Sequence, residues 1–199
     1  MNTQTTPKNR SIYIVVTRTG TNVARAIRMF SRMPYSHVSL SGDASLHLLY
    51  SFCRNYKPIP LPATFNTEMI GEGTLGKFDQ IPCEVYEIRV TDEQYARFWD
   101  IIEHFCDHRK QYSYSIIGLL LVKLQIKRNL EKKFVCSQFV AHVLKECGVE
   151  LDKAPCLYSP DDLRYLPGAK LIYRGELNRY YHDLNENEHT EPLAIHPAV

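Results

Sequence analysis

Phe134 to Gly148 reads FVCSQFVAHVLKECG, and its spacing predicts a helix from Phe134 to Cys147 that Gly148 ends at the position after the cap. Cys136, Val140, Val143 and Cys147 recur at steps of four, three and four, so they share one stripe of that helix. Cys136 stands at its head, where backbone N–H groups lack intrahelical partners and the dipole favours negative charge. That setting turns a thiol into a nucleophilic thiolate. The apolar stripe accommodates an inert core thiol equally well, so position alone leaves both readings open. Cys147 sits at the negative end of the same helix and is expected to be the poorer nucleophile.

The segments on either side predict an α+β domain. Ser11 to Thr17 (SIYIVVT) is a β-branched run with the pattern of a buried strand. A helix is expected from Thr21 or Asn22, with Val23, Ile27 and Phe30 inside and Pro34 closing it. Tyr35 to Leu40 and Leu46 to Phe52 read as two strands around the loop Ser41-Gly42-Asp43-Ala44-Ser45, and residues 55–82 read as irregular. Glu84 to Val90 is a further strand. The helix from Thr91 to Arg109 has a capping box at Thr91 and Gln94 and an inner face of Tyr95, Phe98, Ile102 and Phe105. Ser115 to Ile126 is apolar enough to predict a buried helix, Ser159-Pro160-Asp161-Asp162 is a helix start, and Ala169 to Arg174 is a last strand. The sum is a mostly antiparallel sheet packed by helices.

Length and composition fit one such domain. The chain has 199 residues, which divide into a polar leader (1–10), a folded domain (11–177) and an acidic tail (178–199) read as disordered. A hydrophobic share of 44% excludes a chain without a core, and a net charge of only +2 argues against nucleic acid as a partner. The leader lacks the apolar core of a secretion signal and no stretch approaches the ~20 apolar residues of a membrane span, so a cytoplasmic location is expected. The six cysteines form no C-x-x-C pair and read as reduced thiols; no cofactor or metal is expected.

A cysteine nucleophile needs a nearby base and a third polar group that fixes the imidazole. Among eight histidines, His37 stands out in Tyr35-Ser36-His37-Val38-Ser39-Leu40, where Val38 and Leu40 face one way and His37 the other. On the following strand Leu46, Leu48, Tyr50 and Phe52 form the apolar face, leaving His47, Leu49 and Ser51 opposite. Matching apolar face to apolar face brings His47 and Ser51 beside His37. With a three-residue turn, either His47 or Leu49 lies directly across from His37.

The motifs S-H-V-S-L, L-Y-S-F, Y-S-Y-S-I-I-G-L, F-V-C-S-Q-F-V and S-P-D-D-L, in this order over Ile12 to Leu166, resemble the circularly permuted branch of the NlpC-type papain-like superfamily. That branch includes the YiiX-like proteins and is related to lecithin retinol acyltransferase. The resemblance implies Cys136 as nucleophile, His37 as base and a thioacyl intermediate formed from an amide or ester. The substrate class implied is a small molecule, a peptide or a lipid acyl group. The third member stays open among His47, Ser51 and, on the other register, Tyr50; no carboxylate stands on that strand. The oxyanion would rest partly on backbone N–H groups at the head of the helix. Gln138 reads as a solvent-facing or capping residue. The rival is a catalytically inactive module of the same fold that binds a peptide or lipid.

Weaker signals have plainer readings. His104 and His108 have the i, i+4 spacing of a zinc pair but share a solvated face with Arg97 and Asp100. Lys123, Lys127, Arg128, Lys132 and Lys133, broken by Glu131, read as a charged connection, with anionic lipid or an acidic substrate as the alternative. Residues 55–82 are either a wall over His37 or a surface insertion. The oligomeric state is not encoded in any of these patterns.

Overall fold

A computed structural model of the chain describes residues 10–18, 34–54, 63–73, 75–128 and 130–180. The expected helix from Thr21 to Pro34 lies outside the described residues except for its terminal Pro34. The sheet is built from β1 (Arg10–Thr17), β2 (His37–Ser41), β3 (Leu49–Arg54), β4 (Ala63–Glu68), β5 (Pro82–Val90) and β8 (Ala169–Glu176). Its order is β4-β3-β2-β1-β5-β8, with every neighbouring pair antiparallel. Three α-helices are described: α1 (Asp92–Asp107), α2 (Ile116–Lys123) and α3 (Cys136–Glu146). The two-residue strands β6 (Ser113–Tyr114) and β7 (Lys133–Phe134) pair in parallel and lead into α2 and α3. The mixed α+β class and mostly antiparallel sheet expected from the sequence are therefore present.

Period-two patterning explains how the sheet buries both faces. Ile12, Ile14 and Val16 of β1 join Val38, Leu40, Phe52 and Phe65 against α1 and α3, while Val15 packs on the other side with Leu46, Leu49, Ile81, Val85 and Leu177. Burial of both faces also accounts for the imperfect alternation of Glu84 to Val90: Val85 enters one cluster, Tyr86 and Ile88 the other. Packing continues past residue 177, since Tyr180 is buried and its hydroxyl donates to the Ala44 carbonyl at 2.9 Å.

Two segments differ from expectation. Within 55–82, Ala63–Glu68 is a strand that pairs with β3, Ser51 opposite Asn66 and Leu49 opposite Glu68. The prolines and glycines around it mask a short strand whose only large apolar residue is Phe65. Helix α2 was expected to be buried. Val122 is, but Ile117, Leu120 and Leu124 are open to solvent because α2 lies at the periphery and not between layers. Among the described residues no helix is long and apolar enough to cross a membrane.

Aromatic packing ties α3 to the sheet. The Phe139 ring lies 5.4 Å from Phe52 of β3, 5.4 Å from Phe65 of β4 and 5.1 Å from Phe105 of α1. A second tie secures the approach to β2. Buried Glu84 accepts from Arg164 Nε at 2.7 Å and Arg174 Nε at 2.7 Å, and the Arg164 guanidinium lies 5.1 Å from the Tyr35 ring centre, just before His37. These contacts hold Glu84 well below the usual carboxylate range, at about 2, against the opposing pull of burial. Phe139→Ala should lower unfolding free energy by about 3–5 kcal/mol in urea titration, because it opens a cavity where four elements meet. A loss below about 1 kcal/mol would show that this cluster does not hold α3.

Candidate active site

His37 opens β2 at the end of the sheet nearest the head of α3, and it meets a partner on each side. Its Nε2 lies 3.0 Å from Glu68 Oε2, and the Cys136 thiol lies on its other side, near enough to help raise the pKa of the ring. Three elements distant in sequence thus supply a thiol, an imidazole and a carboxylate. Glu68 is buried, and its Oε2 also accepts from the Ser51 hydroxyl at 2.7 Å; the Cys53 thiol is a further hydrogen-bond partner.

Electrostatics follow from this packing. Burial on its own pulls the His37 pKa down; the Glu68 carboxylate, with hydrogen bonds to Cys136 and Glu68, overrides that and raises it to about 10. Burial likewise opposes ionisation of Glu68, yet the imidazolium and the Ser51 and Cys53 donors hold it below its ordinary value. The pair is therefore carboxylate and imidazolium at neutral pH, with Nε2–H donating to Glu68.

The head of α3 is shaped by Gln138. Its Oε1 accepts from the Val135 N–H at 3.3 Å and its Nε2 donates to the Cys156 carbonyl at 2.9 Å, so it is a buried cap. Of the two roles expected, capping is observed and solvent exposure is not. The first turn keeps its backbone N–H groups at Cys136 and Ser137 outside the intrahelical ladder, which begins with Phe139 N–H to Val135 O at 3.0 Å. Cys147, at the other end, donates to the Leu144 carbonyl, and burial pushes its thiol up to about 11.

The remaining sequence candidates are separated by the register. Leu40 pairs with Tyr50, so neither His47 nor Leu49 lies across from His37, contrary to the three-residue-turn expectation. Strand β3 begins only at Leu49. His47 sits exposed in the preceding loop, its N–H donating to Ser45 Oγ, outside the cluster around His37. Ser51 does reach the cluster, but through Glu68. Tyr50 is packed in the core, edge-on to Trp99 at 6.0 Å and stacked on Phe65 at 6.4 Å. Glu68 was missed because it belongs to the strand after β3. The alternating Phe65, Asn66, Thr67, Glu68 was the available signal, with Phe65 inward and Asn66 and Glu68 opposite.

Other ligand-like features lie elsewhere. The His104 and His108 rings stack at 4.4 Å, and among the described residues no group of three His, Cys, Asp or Glu side chains is placed to hold a metal ion. An open groove of about 600 Å³, lined by Glu87, Arg89, Gln94, Glu150 and Lys170 among others, shares no residue with the Cys136 cluster. No protein-family model matches the chain, and no curated protein sequence matches it either.

The raised His37 value makes stability depend on pH in a defined direction. A group that binds its proton more tightly when folded contributes fully below its unfolded value of 6.5 and loses that contribution as pH climbs toward about 10. Glu68 acts in the opposite sense, contributing above its ordinary value of 4.5 and failing on acidification. Between pH 6.5 and about 8, before unfolded cysteines ionise, unfolding free energy should fall by up to about 1.4 kcal/mol per pH unit. His37→Gln should flatten that slope. A flat wild-type profile from urea titrations would contradict the assignment.

Proposed function

We propose that the chain is a cysteine hydrolase or acyltransferase of permuted papain-like, NlpC-type fold, with Cys136 as nucleophile, His37 as acid and base, and Glu68 as the group that orients and charges His37. The observation that carries this reading is one imidazole set between a thiol at a helix head and a buried carboxylate 3.0 Å away. The order of elements, histidine strand first and cysteine helix last, agrees with the resemblance of the motifs.

Glu68 occupies Nε2, which leaves Nδ1 for the thiol. The imidazolium stabilises a Cys136 thiolate, which attacks an amide or ester carbonyl carbon. The carbonyl π pair moves to oxygen, and the oxyanion faces the free N–H groups of the first turn of α3. As the tetrahedral adduct collapses, His37 gives its proton to the leaving amine or alcohol and a thioester remains on Sγ. Neutral His37 then takes a proton from water or an acceptor alcohol or amine. That nucleophile attacks the thioester, and the thiolate departs beside the restored imidazolium. Six free cysteines support a reducing compartment, and a cytoplasmic amide, ester or peptide fragment suits such a site.

One observation favours a second reading: Cys136 keeps only 4% of its surface, as an inert core thiol in a binding module of this fold would. Reactivity separates the two. With p-nitrophenyl acetate, wild type should release a burst of p-nitrophenol that Cys136→Ala abolishes. Glu68→Gln should slow acylation at least about tenfold, and His37→Ala more, with circular dichroism unchanged. Iodoacetamide at neutral pH should label Cys136 much faster than Cys147. Equal, slow labelling of both thiols without a burst would favour the binding module.

A further inference from the structure

Helix α2 is apolar around its whole circumference, Ile-Ile-Gly-Leu-Leu-Leu-Val followed by Lys123, a composition that requires an apolar environment on every side. The protein supplies it on one side only. Val122 is buried, and Gly118 lets the helix approach α3 so closely that a Cβ there would sit 3.2 Å from Gln138 Oε1. The opposite side leaves Ile117, Leu120 and Leu124 at 64%, 57% and 56% exposure, at steps of three and four on one stripe. Gln125, in a left-handed conformation at φ 53°, ends the helix and donates to Val122 O at 2.7 Å. Ile126, also exposed, carries the stripe into the turn.

Cations border this stripe. Lys123, Lys127 and Arg128 are exposed at its end, and Lys132 and Lys133 follow with Glu131 as the one acid between. Lys132 reaches Gln111 Oε1 at 2.7 Å, a neutral partner. Apolar side chains flanked by lysine and arginine suit an interface where hydrocarbon lies beneath anionic headgroups.

We infer that the outer face of α2 and the turn that follows form a docking surface for an anionic lipid bilayer. Ile117, Leu120, Leu124 and Ile126 enter the acyl boundary while Lys127 and Arg128 meet the headgroups. The docking is independent of thiol reactivity; that it would present acyl groups at the membrane to Cys136 is a consequence that does rest on the function proposed above.

Co-sedimentation of the full chain with vesicles of phosphatidylcholine and phosphatidylglycerol in equal parts tests this. Wild type and Cys136→Ala should pellet alike, and affinity for pure phosphatidylcholine vesicles should be at least about tenfold weaker. Lys127→Glu with Arg128→Glu should cost at least about tenfold, and Leu120→Asn with Leu124→Asn should abolish pelleting while the circular dichroism of the folded chain is retained, since both leucines are more than half exposed. Absence of pelleting with anionic vesicles would overturn the inference. So would pelleting unaffected by either double variant, or a dimer lost in Leu120→Asn with Leu124→Asn in a chain that ignores vesicles.

Discussion

The buried contact between Glu68 and His37 decides what the rest of the cluster is able to do. Removal from water alone would strip the proton from His37 and leave a neutral imidazole beside Cys136. A carboxylate 3.0 Å away reverses that preference, and Ser51 and Cys53 keep the carboxylate ionised in turn. Hydroxyl and thiol groups thereby stabilise the carboxylate, and the carboxylate stabilises the imidazolium. Cys136 lies beside the imidazolium that results.

Bringing the three partners together is the work of hydrocarbon. Phe139 follows Cys136 by three residues and Phe65 precedes Glu68 by three, and their rings touch within one cluster that Phe52 and Phe105 complete. The same packing that seats α3 on the sheet thus fixes the thiol relative to the carboxylate. His37 is held from another direction, through the β1 to β2 register and through Tyr35 beneath Arg164. Its position depends on strand pairing and on the Glu84 ion cluster more than on the aromatic core.

Sequence patterns reveal the parts of this arrangement that are local. The helix headed by Cys136, the strand bearing His37 and the Thr91 and Gln94 capping box of α1 each follow from spacing within a dozen residues. Glu68 does not, because its partner is fixed by which strands are neighbours. The strand that carries it is six residues of modest hydrophobicity among prolines and glycines. His47 illustrates the same limit: alternation puts it on the right face of a strand, but β3 starts two residues later and leaves it in a loop. The apolar run of α2 shows another limit, since composition reports a need for apolar surroundings without saying whether protein supplies them.

The charge state of His37 is where the account is most exposed to experiment. Ring resonances of His37, followed by NMR in protein labelled at histidine, report that state directly across pH. The account predicts an imidazolium that persists through pH 8 and titrates near 10, with the midpoint falling by several units in Glu68→Gln. A midpoint at or below 6.5, unmoved by Glu68→Gln, would contradict it.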